Sequence, residues 1–234
     1  MSTYGDRGNI ICLTKRCQWR GIDVEVKNVT LGTLNSELSD CDLLFMGGAQ
    51  DRQQKIVAKD FLGKKAKLVK TMIDDGLPAL FVCAAYQFVG HYYRPYQGAD
   101  IPGAGIFDLF TVHPGDQAKR LIGNVVAKLL DFDQTIVGFE NHGGRTTLGS
   151  QMKPLAKVIT GFGNNSEDGF EGATYKNALG SYFHGPLLPK NPFLADWLIQ
   201  KALEVKYNKS ITLAPLNDSL EKQAHDFVVK KYGH

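Results

Sequence analysis

The chain of 234 residues has no apolar run near the ~18 residues that a membrane-crossing helix needs. Its start, MSTYGDRGNI, has no secretory-leader pattern. These absences point to the cytoplasm, where Cys12, Cys17, Cys41 and Cys83 are expected as reduced thiols. No Cys-x-x-Cys pair or zinc-ligand spacing occurs, so no metal is expected. A Gly-x-x-x-x-Gly-Lys-Ser/Thr phosphate loop is also missing, so any ATP chemistry must lie elsewhere. Charge of one sign is lacking too. The 27 Lys and Arg nearly balance 24 Asp and Glu, and their spread argues against a nucleic-acid partner. The stretches GKKAKLVK (63–70) and VVKKYGH (228–234) read as solvated helix faces. Internal repeats and low-complexity linkers are absent.

What is present suits one compact domain over 1–234, since 43% of residues are hydrophobic. GNIICLTKRCQWRG reads as a helix stopped by Gly21. IDVEVKNV (22–29) alternates and predicts a strand, and CDLLFMGG predicts a buried parallel strand ending on Gly47 and Gly48. A long amphipathic helix is expected over 51–75, closed by Gly76. PALFVC predicts another buried strand and AAYQFVGHYY the start of another helix. Alternating strands and helices imply a mostly parallel sheet covered on both faces. The fold class expected is α/β, a flavodoxin-like three-layer sandwich. IFDLFTVHP, RLIGNVVAKLL, QTIVGFENHGG and AKVITGFGN predict mixed or antiparallel strands in the second half. Helices over about 192–207 and 218–232 close the chain.

Chemistry points to Cys83. In open parallel sheets, ligands sit at the carboxyl ends of strands. Cys83 ends one strand and feeds directly into a helix, a turn that pushes a nucleophile out of the sheet. The turn is crowded, and Ala84 and Ala85 are small enough for it. Gly47 and Gly48 end the neighbouring strand, where backbone N–H groups can receive charge developing on a carbonyl oxygen. Cys12, Cys17 and Cys41 lack this setting and read as packing residues. A cysteine nucleophile needs a base. His225 and His234 belong to the terminal helix and tail, His91 to a helical surface stretch and His113 to a loop. His184 in YFHGPLLPKNP and His142 in GFENHGG remain as alternatives, His184 favoured because it ends an apolar run.

The motifs MGGAQD, VCAAYQFVG, GFENHGGRT and YFHGPLLPKNP occur in an order that resembles the class I glutamine amidotransferase family, within its cobyric-acid-synthase-like branch. The resemblance covers about residues 3 to 205. It implies Cys83 as the nucleophile on the glutamine side-chain amide and His184 as its base. It implies an oxyanion hole from the amides of Gly48 and Ala84. Arg120, in AKRLIGNVV, would hold the glutamine carboxylate through its planar fork. Glu140, Asn141 and Arg145 would shape the pocket. Gln87 would help position substrate or simply fill the first helical turn.

Three departures accompany the match. Pro186 stands where most class I members carry a glutamate, leaving a Cys–His dyad or a third group from elsewhere. The elbow reads Cys-Ala-Ala rather than Cys-Gly-Gly. Family members usually begin with a short strand before the YGDxGN helix, whereas this sequence begins almost at the helix, so either its start is misassigned or the sheet is expected to lack that strand. The resemblance also implies a glutaminase subunit in a heterodimer. Its ammonia would go to a Mur-ligase-like partner, which would carry ATP and magnesium and amidate the D-glutamate of lipid II to D-isoglutamine in peptidoglycan synthesis. This chain would then have no cofactor, and would meet lipid II only through the partner, with no membrane insertion. Alternatives are a glutaminase subunit of another amidating synthetase, a related cysteine hydrolase and a non-catalytic scaffold.

Overall fold

The computed structural model describes residue 1 and residues 5–233. His234 lies outside the described residues.

The central sheet has four strands in the order β1 (Leu44–Met46), β2 (Ala79–Val82), β12 (Ala178–Ser181) and β11 (Ala173–Tyr175). The first three run parallel and β11 returns antiparallel to β12. Side-chain alternation along β2 explains the layers. Leu80 and Val82 join a cluster with Leu13 and Cys17 of helix α1 (Arg7–Gln18) and Leu194 and Leu198 of α6 (Pro192–Tyr207). Ala79 and Phe81 face the opposite cluster. That cluster holds Phe61 of α3 (Asp51–Phe61), Val69 and Ile73 of α4 (Lys64–Asp74) and Tyr86 of α5 (Ala84–Phe88). The sandwich expected from the sequence is therefore present, with a short central sheet.

Two further four-stranded sheets carry the second half. One has the order β10 (Phe170–Glu171), β9 (Ala156–Thr160), β6 (Leu121–Leu129), β7 (Thr135–His142), all antiparallel. The other is mixed, in the order β4 (Ile101–Pro102), β3 (Tyr92–Arg94), β5 (Leu109–Val112), β8 (Arg145–Leu148).

Three local expectations need correction. Residues 22–29 form no strand, although they alternate. Most face solvent and have no ladder partner among the described residues. Among the described residues strand β1 is the edge of its sheet, and a groove of ≈ 1080 Å³ is lined by Val24 and Val26 as well as Leu44 and Met46. Helix 51–75 is two helices. Leu62 is extended and Gly63 has φ 94°, a left-handed turn glycine adopts without steric cost. The helix begun at Ala84 stops at Phe88, and His91 leads into strand β3 rather than lying in a helix.

The C-terminal helix α7 (Ser219–Tyr232) packs on the body through polar contacts. His225 Nδ1 donates to Lys190 O at 2.9 Å, and its Nε2 accepts from Thr135 Oγ1 at 2.9 Å. Arg16, buried in α1, joins Asp196 of α6 to Asp218 at the start of α7, each at 2.6 Å. No helix among the described residues is long and apolar enough to cross a membrane.

Candidate active site

β2 ends at Val82 and α5 begins at Ala84, so the chain reverses at Cys83 alone. The backbone there sits at φ 56°, ψ −110°, a conformation costing an L-residue roughly 1–3 kcal/mol. Hydrogen bonds hold it: Cys83 N donates to Ser181 O at 2.8 Å, and Gln87 N to Cys83 O at 3.0 Å. Ala84 and Ala85 are buried, as the crowding predicts. Ala84 is the first residue of α5, so its N–H has no acceptor within the helix.

His184 arrives from the adjacent strand. β12 pairs in parallel with β2 and places Ser181 opposite Val82, so both strands deliver their following residues to one end of the sheet. A two-way bridge fixes the His184 backbone: its N donates to Phe139 O at 2.7 Å, and Phe139 N donates back at 3.2 Å. The imidazole lies within electrostatic reach of the Cys83 side chain. Burial opposes charge on this ring. The Asp6 carboxylate and the Cys83 side chain outweigh burial and push His184 up to about 9.

Asp6 is the residue the sequence reading missed. It is fully buried at the start of α1, and its Oδ1 lies 3.6 Å from His184 Nδ1. That is an ion-pair distance for a charged imidazole and too long for an ordinary hydrogen bond. Its Oδ2 accepts from Gly48 N. The surrounding glycines show why the GDRGN motif has its form. A Cβ on Gly47 would fall 2.3 Å from Asp6 Oδ2, and one on Gly8 would fall 2.4 Å from Pro186 Cγ. Asn9 Oδ1 accepts from Leu188 N at 2.9 Å. The start of α1 is thus docked on the segment after His184. Pro186, where the resemblance led to the expectation of no glutamate, carries no acid, and the carboxylate near His184 is Asp6 from the N-terminal side. An acid next to glycines at a helix start was the available signal.

His142, the alternative base, is engaged elsewhere. Its Nδ1 donates to Gly144 O at 2.8 Å, its ring stacks on Tyr182 at 3.6 Å, and its Nε2 lies 3.7 Å from Glu140. Burial pushes it down, toward the neutral form. Cys12 and Cys17 pack into the core, and burial pushes the Cys12 thiol up to about 12.

The remaining expected residues are placed as follows. Gly48 N–H, assigned to the oxyanion hole, donates to Asp6 here. Gln87 is buried with both ends of its amide used: Nε2 donates to Tyr182 OH at 3.2 Å and Oε1 accepts from Gln54 at 3.3 Å. Tyr182 OH also meets Thr146 Oγ1 at 2.6 Å, tying α5 to β8. Arg120 is exposed just before β6, with its guanidinium on Asn141. Tyr93, nearly buried, has its phenol raised to about 12, first by burial, then by Asp51, with Arg120 opposing and Cys83 adding to the rise. Tyr93 thus lies in the field of both Cys83 and Arg120.

Residues 1–192 match the CobB/CobQ-like glutamine amidotransferase domain. The chain belongs to that family. It is 40% identical over 233 residues to the lipid II isoglutaminyl synthase (glutamine-hydrolyzing) subunit GatD of Staphylococcus aureus, covering 99% of this chain and 91% of that protein. The same subunit of Streptococcus pneumoniae is 40% identical over 223 residues, covering 95% and 84%. A probable cobyric acid synthase of Methanothermobacter thermautotrophicus is more distant, at 27% identity over 174 residues, 70% of this chain and 33% of that one. A crystal structure of a glutamine amidotransferase superposes with TM-score 0.58 at 16% identity, covering 86% of this chain and 96% of the other. That likeness concerns the fold.

Proposed function

We propose that this chain is the glutaminase subunit of a lipid II isoglutaminyl synthase, with Cys83 as nucleophile, His184 as base and Asp6 as the group that orients and charges His184. The reading rests chiefly on one observation: a left-handed cysteine at a strand tip, within electrostatic reach of a buried histidine that a carboxylate backs at 3.6 Å. The 40% identity to GatD over almost the whole chain supports the cell-wall context.

The chemistry follows from the geometry. With the thiol proton on His184, whose imidazolium Asp6 stabilises, the sulfur attacks as thiolate on the side-chain amide carbon of glutamine. The proton passes from His184 to the departing ammonia, leaving a glutamyl thioester that water hydrolyses to glutamate. The Ala84 amide faces no intrahelical competitor for the developing oxyanion. The Gly48 amide can join it only by leaving Asp6. Arg120 carries a fork suited to the α-carboxylate of glutamine. Ammonia then serves a MurT-type, Mur-ligase-like subunit that holds ATP and magnesium and activates the D-glutamate carboxylate. The chain works in the cytoplasm as one half of a heterodimer.

The test is ammonia release from glutamine, by the chain alone and with its co-purified ligase, for native protein, Cys83→Ala and His184→Ala. Release that both variants abolish supports the reading. Activity in Cys83→Ala removes the thiol mechanism, and a silent native complex favours a scaffold.

A further inference from the structure

We propose that Asn141 is a positioning residue for Arg120: it fixes the guanidinium by one edge and leaves the other edge, with its full charge, for the glutamine carboxylate. The inference rests on the reading of Arg120 as the carboxylate-binding residue and deepens it.

Arg120 immediately precedes β6, and Asn141 lies near the end of β7. The two strands pair with Leu121 opposite His142 and Ile122 opposite Asn141, which sets Asn141 diagonally across from Arg120. Arg120 Nε donates to Asn141 Oδ1 at 3.0 Å and Nη2 to Asn141 O at 3.0 Å. One residue therefore accepts from two of the three guanidinium nitrogens. Nε and Nη2 make up the lateral edge of the fork, so the terminal edge of Nη1 and the second Nη2 hydrogen stays open for a bidentate carboxylate. A Cβ on Gly143 would fall 2.8 Å from His113 Nε2 but would meet Arg120 Nη1 only at an ordinary contact distance of 3.5 Å.

The neighbouring turn is braced as well. Arg145 Nη2 donates to Lys119 O at 2.8 Å and Nη1 to Gly143 O at 2.9 Å, joining the residue before Arg120 to the glycine after His142. Charge explains why the acceptor is an amide. No carboxylate pairs with Arg120 among the described residues. An aspartate at 141 would hold the fork equally well but would neutralise the charge the ligand needs. A flexible arginine loses rotamer freedom on binding, and one already held loses less.

The experiment is steady-state glutamine hydrolysis by the complex with its ligase, for native protein, Asn141→Ala, Asn141→Asp, Arg120→Ala and the double variant Asn141→Ala/Arg120→Ala. Asn141→Ala should raise KM for glutamine about tenfold with kcat within about twofold. Asn141→Asp, which keeps the shape and the acceptor, should also raise KM and leave kcat alone. In the Arg120→Ala background, Asn141→Ala should add nothing. Towards 4-aminobutanamide, which lacks the α-carboxylate, native and variant complexes should have equal kcat/KM. An unchanged KM in Arg120→Ala sinks the carboxylate reading itself. A raised KM in Arg120→Ala together with native KM in both Asn141 variants, or additive effects in the double variant, overturns the role of Asn141. A fall in kcat matching the change in KM would mark a merely structural residue and would overturn it too.

Discussion

Cys83, His184 and Asp6 are 8%, 6% and 0% exposed, whereas Arg120 and Asn141 both face solvent. The difference matches the work assigned to each region. Moving a proton from sulfur to imidazole creates opposite charges, and those interact strongly only where water is excluded. The buried trio is therefore held from several sides: a strained turn, a two-way bridge to Phe139, and glycines at 8 and 47 that let the start of α1 approach. A carboxylate clamp must admit and release a ligand with every turnover. Two surface hydrogen bonds that one asparagine accepts from Arg120 suffice to aim it.

Perturbing the two regions should separate them. The largest effect is expected at the sulfur: Cys83→Ala should lower glutamine hydrolysis at least ~1,000-fold while its unfolding midpoint stays near native. Gly47→Ala should come next. The added methyl must displace the Asp6 carboxylate, so kcat should fall by about 100-fold, and stability by about 1–3 kcal/mol, read by assay and urea titration. A native-like kcat there would show that Asp6 need not stay where it is.

A third perturbation probes a buried carboxyl behind the strand that delivers His184. Glu171, fully buried, accepts from Ser181 Oγ and Tyr182 N, and burial pushes it up from 4.5 to about 8. Its folded value lies above its unfolded one. Its stabilising contribution is thus full below pH 4.5 and is lost as pH rises through about 8. Glu171→Gln should flatten stability across that window and gain on the order of a few kcal/mol at pH 8, measured by urea unfolding against pH. The smallest effect belongs to the periphery. Thr135→Val removes the hydroxyl that His225 accepts from, so amide exchange in α7 should quicken, with a stability change within ~1 kcal/mol and unchanged glutaminase activity.

Much of the reacting centre was legible because it depends on local pattern. A continuous apolar run ending on a cysteine and two alanines identified the elbow. A second run ending on His-Gly-Pro pointed to His184, which follows the strand paired with that of the elbow. Choosing between His142 and His184 needed the stacking of His142 on Tyr182, a contact no spacing encodes. Asp6 was not legible for the same reason. Its motif was visible, but its contact with His184 arises only when α1 docks on the Gly185–Pro186 turn. The strand expected over 22–29 shows the converse failure: alternation describes a half-buried surface, whereas a strand also needs a partner edge. The helix over 51–75 had the right period throughout and was broken by one glycine in a left-handed turn.

The account depends most on Asp6 holding His184 in its charged form beside the sulfur. The direct measurement is the titration of His184 by NMR in native protein and in folded Asp6→Asn, alongside kcat of each in the assembled complex. The account predicts that the native imidazole titrates near 9 and that the variant moves down toward 6.5, with kcat lowered by about 10- to 100-fold. An Asp6→Asn variant with the native titration and the native kcat would contradict it.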